Sequence, residues 1–472
     1  MLFPTATFAI FFLIVLPISW WLMPRIHLWR PFIIGASFLF YSWWDWHFVF
    51  LLGGSIVWNQ ITAVRIHRAS SQAARRSLLI LALAGNIAVL GYFKYYDFFV
   101  SSSQNLAAVV GLDVPLSVRS IVLPVGISFF TFMGISYVVD TYRGETVPTT
   151  LEKFAVYLSF FPHLVAGPIV RPNELIPQLD TPRDPRRVDT SRAFYLIATG
   201  LFKKVVIANY LAGSIVDEVF AVPEQHSSLE ILIGVYAYAV QIYADFSGYT
   251  DIAIGIALLL GFKFPQNFDS PYAAATVQDF WRRWHMTLSR WLRDYVYIPL
   301  GGSRRGPDIT YRNLMLTMLI GGLWHGAAWT FVVWGGLHGL ALVVERRRQE
   351  MPGYVEPESN RRRLWLGRLA TFHFVCFAWI FFRSDSFATA WAMITGLFTG
   401  WGEASPLVTG GVLLATSVGI ASQYLPARVP ALVMARFSRL PTPVQAVVLA
   451  FALMATSALG PEGVAPFIYF QF

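Results

Sequence analysis

The sequence predicts an all-α polytopic membrane protein, and three observations carry that prediction. Hydrophobic residues make up 56% of the 472 and charged ones only 13%, with a mean hydropathy of +0.53, outside the balance of a soluble domain. Apolar segments recur along the whole chain with short links, so a single membrane-embedded domain over 1–472 is the simplest organisation. The net charge of +9 gathers in the loops, a positive-inside bias that needs no nucleic acid to explain it. The one cysteine, Cys376, sits in the apolar run Phe372–Phe382 and reads as a small packed hydrophobe.

Taken in order, Pro4–Met23 is apolar and is followed, not preceded, by Arg25 and Arg30, which predicts a retained first span with its N-terminus outside. Pro31–Trp44 and Phe48–Val64 follow, and the four arginines of Arg65–Arg76 place the next loop in the cytoplasm. Leu78–Phe93 returns outward, Tyr95–Arg119 is a mixed segment expected to lie along the outer surface, and Ile121–Val139 crosses inward. Phe154–Val170 is punctuated by Pro162, His163, Gly167 and Pro168 with basic residues on both flanks, the pattern of a re-entrant element buried in protein. Arg171–Arg192 is a cytoplasmic loop.

Phe194–Ile215 carries Lys203 and Lys204 in mid-run, which predicts a tilted span lining water or an interfacial helix. Leu229–Tyr243 and Ile252–Phe262, the latter too short to cross, flank the polar segment ADFSGYTD with its two carboxylates, Asp245 and Asp251. In Trp281–Tyr295 the positions Trp281, Trp284, Leu288, Trp291, Leu292 and Tyr295 share one helical face with Arg283, Arg290, Arg293 and Asp294 largely opposite, an amphipathic interfacial pattern. Leu314–Val344 is apolar, holds six glycines, and reads as a broken hairpin. Leu364–Phe382, Ala388–Phe398, Leu407–Tyr424 and Pro443–Leu459 complete the chain, with Arg428, Arg436 and Arg439 in a last inner loop and the C-terminus outside. The total is about ten spans plus re-entrant pieces.

The chemistry concentrates in Gln278–Leu340. A histidine inside an apolar run needs a cavity or a partner, and His285, His325 and His338 all lie in this stretch. His325 in LWHG is the first candidate for a catalytic role. Imidazole titrates near neutrality and suits removal of a proton from a hydroxyl.

These residues carry a family likeness. LPVGISFFTF with Tyr137, Asp140 and Arg143, FFPHLVAGPIVR, QIYADFSGYTDIAIG, FPQNFDSPY, QDFWRRWHMTLSRWLRDYVYIPLGG and GGLWHGAAWTFVVWGGLHG occur in this order over about 120–345. Together they resemble the membrane-bound O-acyltransferase family, MBOAT, and its bacterial branch containing the alginate O-acetyltransferase membrane subunit and the D-alanyl transfer protein of teichoic acid. The C-terminal FIYFQF resembles the alginate type. The resemblance implies a helical bundle with a central tunnel, a catalytic core over 120–345, and acyl transfer to a hydroxyl. It matches the family histidine to His325 and the second histidine of the branch to His285.

For His325 the chemistry of acyl transfer leaves two roles open, a base or a donor that polarises the acyl carbonyl. His285 would orient it or bind a substrate. Asp245, Tyr249, Asn267, Arg282 and Trp324 are further candidates for substrate binding, and no metal site is expected. No cofactor is expected to stay bound, with acetyl-CoA as the acyl donor. The expected setting is the bacterial inner membrane, in contact with lipid. Expected partners are a polysaccharide acceptor such as alginate or cellulose and a periplasmic SGNH-type acetyltransferase or other polysaccharide-modification protein. D-alanyl transfer to teichoic acid is the alternative within the enzyme class. A transporter or exporter is the alternative outside it, since midmembrane histidines and broken helices occur there too, although the sequence shows no internal repeat.

Overall fold

The computed structural model describes residues 1–112, 117–357 and 360–461. The FIYFQF terminus lies outside the described residues. Every regular element among the described residues is helical. Among the described residues six helices are long and apolar enough to cross a membrane: His47–Arg68, Gln72–Val109, Thr190–Ala221, Ser228–Leu259, Arg361–Arg383 and Thr442–Leu459. The sequence predicts about ten spans. Several other apolar runs end as shorter helices, Ala6–Leu22, Phe387–Thr399 and Gly410–Ser422. At 1.5 Å per residue these are about 20–26 Å long, against a hydrocarbon core of roughly 30 Å.

Residues cluster in two compact units, Met1–Asp189 with Ile256–Pro265, and Thr190–Gly255 with Gln266–Phe472. The first unit holds α1 (Ala6–Leu22), α2 (Ile26–Ser42), α3 (His47–Arg68), α4 (Gln72–Leu90), α5 (Tyr96–Val109), α6 (Ile127–Arg143) and α7 (Leu151–Ser159). A π-turn at Gly91–Tyr95 joins α4 to α5, so Tyr95–Val109 continues a helix of 38 residues, where the sequence had suggested a separate surface segment. Inside the unit, α3 and α4 exchange amide hydrogen bonds: Asn86 Nδ2 donates to Asn59 Oδ1 at 2.8 Å and Asn59 Nδ2 to Asn86 Oδ1 at 3.2 Å. Such reciprocal pairing satisfies polar groups that lipid cannot. The Phe154–Val170 segment breaks after α7 and is buried throughout, in keeping with its prolines and glycines.

The second unit holds α8 (Thr190–Ala221), α9 (Ser228–Leu259, whose last turn clusters with the first unit), α10 (Val277–Arg283), α11 (Met286–Leu292), α12 (Pro307–His325), α13 (Trp329–Gln349), α14 (Arg361–Arg383), α15 (Phe387–Thr399), α16 (Gly410–Ser422), α17 (Arg428–Ser438) and α18 (Thr442–Leu459). Three sequence expectations change here. Leu229–Tyr243, the polar octapeptide and most of Ile252–Phe262 are one helix of 32 residues, about 48 Å long. Its carboxylates do not interrupt it because lysines of α8 neutralise them. Lys204 is accordingly turned into protein, while Lys203 keeps about a quarter of its side chain exposed. Lys204 Nζ lies 2.5 Å from Asp245 with both side chains at most 5% exposed, and Lys203 pairs with Asp251. Finally, the arginines expected in a last loop, Arg428 and Arg436, belong to α17.

Glycines make the α8–α9 contact possible. A Cβ on Gly200 would stand 2.6 Å from the Gly248 carbonyl oxygen, and one on Gly248 would stand 2.7 Å from that of Gly200. Gly248 is the glycine of ADFSGYTD, so this motif brings the helix backbones together where the two ion pairs form.

Candidate active site

The stretch expected to be one interfacial helix is two short helices with a break between them. Thr276 caps α10, its Oγ1 accepting from Asp279 N at 3.0 Å, and the Glu345 carboxylate accepts from the backbone N–H groups of Val277 and Gln278. α10 stops at Trp284, which is extended, and His285 takes a left-handed conformation with φ of 41°. That conformation costs a non-glycine residue about 1–2 kcal/mol, and it persists here because the neighbouring strand-like link holds it. Met286 N donates to Asn267 O and Asp269 N to Arg283 O, both at 2.9 Å. The indole face predicted for headgroups is therefore turned into protein. Trp281, Trp284, Leu288, Trp291 and Leu292 are buried.

α12 and α13 form the broken hairpin that the glycines of Leu314–Val344 predict. A Cβ on Gly322 would lie 2.3 Å from Phe331 O and one on Gly335 2.4 Å from Met318 O, so the two backbones touch. α12 ends at His325 because Gly326 turns extended, and a side chain there would lie 2.0 Å from the Phe331 ring. His325 is thus placed at a helix terminus, 2% exposed, against Trp324, Trp334 and Phe382.

These elements bring imidazoles and indoles into one alternating array. Ring centroids run from His285 to Trp324 at 5.9 Å, Trp324 to His325 at 4.9 Å, His325 to Trp334 at 5.0 Å, Trp334 to His338 at 4.9 Å and His338 to Trp281 at 5.2 Å. All three histidines are buried. In so apolar a setting hydrogen bonds and charges gain strength.

One tautomer is legible from the bonds. Asn267 Oδ1 accepts from Thr287 N at 3.1 Å and from Thr287 Oγ1 at 2.8 Å. A backbone N–H can face only the oxygen of the amide, so the orientation of Asn267 is fixed. The contact from His285 Nδ1 to that same oxygen, 3.2 Å, then requires the proton on Nδ1. Neutral His285 therefore presents a lone pair at Nε2, which has no hydrogen-bond partner among the described residues. A fixed acceptor among buried aromatic side chains is what proton abstraction from a hydroxyl needs.

The other candidates separate. Trp324 stands between His285 and His325. Asn267 holds His285 through Oδ1. Asp245 is engaged with Lys204, and Tyr249 is buried one turn along α9. Arg282 points away from the array, into a cleft of about 490 Å³ that it shares with Asp279, Arg346 and Glu356. Among the described residues no cluster of three or more histidine, cysteine or acidic side chains is arranged to hold a metal. Sequence reasoning gave His338 no role and passed over Trp334 altogether. Their i,i+4 spacing on α13, which puts both on one face, was the available signal.

Residues 141–387 match the family model described as MBOAT, membrane-bound O-acyltransferase family. The chain belongs to the membrane-bound O-acyltransferase family. It is an O-acyltransferase and a multi-pass membrane protein. Among its MBOAT relatives it is 37% identical over 468 residues to "Probable alginate O-acetylase AlgI" of Pseudomonas putida, covering 93% of this chain and 94% of the relative. It is 39% identical over 395 residues to "Peptidoglycan O-acetyltransferase" of Helicobacter pylori, covering 78% and 73%. "Teichoic acid D-alanyltransferase" of Bacillus subtilis is more distant, 28% identical over 280 residues, covering 56% and 69%. The array of His285, His325 and His338 lies wholly inside the MBOAT match.

Proposed function

We propose that this membrane O-acetyltransferase moves an acetyl group from a cytosolic thioester, acetyl-CoA, toward hydroxyls of an exported polysaccharide at the bacterial inner membrane. The observation that carries the reading is His285 Nε2, an acceptor held in place among buried aromatic rings, with only the Trp324 indole between it and His325. The acceptor hydroxyl gives its proton to His285 Nε2 as its oxygen bonds to the acyl carbon. His325 donates to the carbonyl oxygen, where negative charge develops. The carbon–sulfur bond then breaks, the electron pair returns to the carbonyl, and the departing thiolate takes the proton back from His285. Similarity to alginate and peptidoglycan O-acetyltransferases supports acetyl as the group and a glycan as the acceptor, with D-alanyl transfer the weaker reading.

A glycan strand is too large and polar for an apolar box. The hydroxyl that accepts the acetyl group in the box is therefore not the glycan's own: the reading includes a periplasmic SGNH-type acetyltransferase that supplies that hydroxyl, carries the acetyl ester away and completes the transfer to the glycan. The test compares surface glycans, by mass spectrometry, from cells with and without this protein, and from cells carrying His325→Ala at normal membrane level. Loss of acetyl ester in the deletion and the variant supports the reading. Retained acetylation in the variant removes His325 from the reaction, and loss of D-alanine from teichoic acid transfers the assignment to D-alanyl transfer.

A further inference from the structure

We infer that His338 is a second fixed hydrogen-bond donor to the acyl carbonyl oxygen, kept in its donor tautomer by Trp281. The inference rests on the acyl-transfer reading above. Trp281 Nε1 donates to His338 Nδ1 at 3.2 Å. An indole nitrogen only donates, so Nδ1 carries no proton. His338 is then neutral, and its hydrogen is on Nε2. That N–H is buried in a residue of 0% exposure and has no hydrogen-bond partner among the described residues.

Packing alone does not explain an imidazole at this position. Trp281, Trp334, Phe280 and Phe374 surround it. An aromatic or aliphatic side chain would fill the same space but strand the Trp281 Nε1–H, and a plain acceptor would satisfy that indole without adding another buried N–H; the imidazole accepts from Trp281 and leaves its own Nε2–H unmade, which is costly. Trp334, one turn before it on α13, presents an indole N–H without a partner among the described residues. The Trp334 ring also touches His325. His285 and His338 therefore hold opposite tautomers: one offers a lone pair, the other an N–H. A neutral imidazole donor can stabilise a developing oxyanion. In the step above, the carbonyl π pair moves onto oxygen as the hydroxyl oxygen bonds to carbon. His338 Nε2–H holds that oxygen, neither gaining nor losing its proton, until the carbon–sulfur bond breaks.

The test uses the full chain in cells lacking their own copy, with acetyl ester on surface glycans measured per unit of membrane-inserted protein. His338→Leu is expected to lower acetylation by about 100-fold, the effect of deleting one oxyanion donor. His338→Gln, whose amide N–H reaches toward the position of Nε2–H, is expected to recover at least about tenfold over the leucine variant. The double variant Trp281→Phe with His338→Leu removes both partners of the buried bond, so it inserts normally even where the single variant does not, and it stays inactive. Acetylation near wild type in the leucine or double variant overturns the inference, as does a glutamine variant no better than leucine at equal level. If the wild-type chain itself restores no acyl ester, the acyl-transfer reading fails and the inference falls with it, a result distinct from the others.

Discussion

Replacing Asn267 by alanine separates the support of the site from its chemistry. Its Oδ1 accepts three hydrogen bonds, from His285 Nδ1 at 3.2 Å, Thr287 N at 3.1 Å and Thr287 Oγ1 at 2.8 Å. The threonine hydroxyl can rotate to another acceptor, whereas the other two donors cannot. Orphaning two buried donors at about 1–3 kcal/mol each costs roughly 2–6 kcal/mol, a large share of a domain's stability. The bond to His285 also selects its tautomer. A net worth of about 0.5–1.5 kcal/mol for that bond amounts to as much as a tenfold change in the population carrying a free Nε2 lone pair. Loss of ring orientation adds to this, so we expect a fall of roughly 10–100-fold in transfer per inserted molecule. Asn267→Asp keeps an acceptor for all three donors and is expected to insert near the wild-type level and to transfer well above the alanine variant. The assay is acetyl ester on surface glycans, normalised to membrane-inserted protein. Wild-type transfer by Asn267→Ala at wild-type level would refute the tautomer argument.

Three further outcomes follow from the same structure. Lys204→Met leaves the Asp245 carboxylate buried without its lysine, a loss of about 3–5 kcal/mol. The variant should be scarce in membranes, and adding Asp245→Leu should recover its level, both read by quantitative immunoblotting. Gly248→Val places a side chain where 2.7 Å separates a Cβ from the Gly200 carbonyl, so it should abolish the α8–α9 contact and with it stable insertion, read in the same way. In a Cys376→Ala background, Ser70→Cys should be shielded from an impermeant thiol reagent added to whole cells and Gln225→Cys accessible to it. The reverse pattern would invert the orientation drawn from the arginine clusters. Ser227, two residues further on, is unsuitable as a reporter because it is buried and bonded to Ser405.

The sequence by itself determined the class of the molecule, its family and the stretch that holds its chemistry. Hydropathy reports the solvent of each segment, and the order of short motifs reports descent. The glycines of Leu314–Val344 announced the broken hairpin, because only a chain without side chains at those points lets two backbones touch. The tertiary structure alone decided what the polar residues do. Lys204 reads as lining water or an interface until α8 is set against α9, since a charge looks costly in a single helix and is neutralised only beside a carboxylate 41 residues away, that of Asp245. Trp281–Tyr295 reads as an interfacial helix because its period is helical. The left-handed turn at His285 that breaks it is imposed by Asn267, through bonds that no local pattern records. The same holds for the tautomers of His285 and His338. Each is set by a partner far along the chain, and a proton's position on an imidazole ring is written in three-dimensional contacts and nowhere in the order of residues.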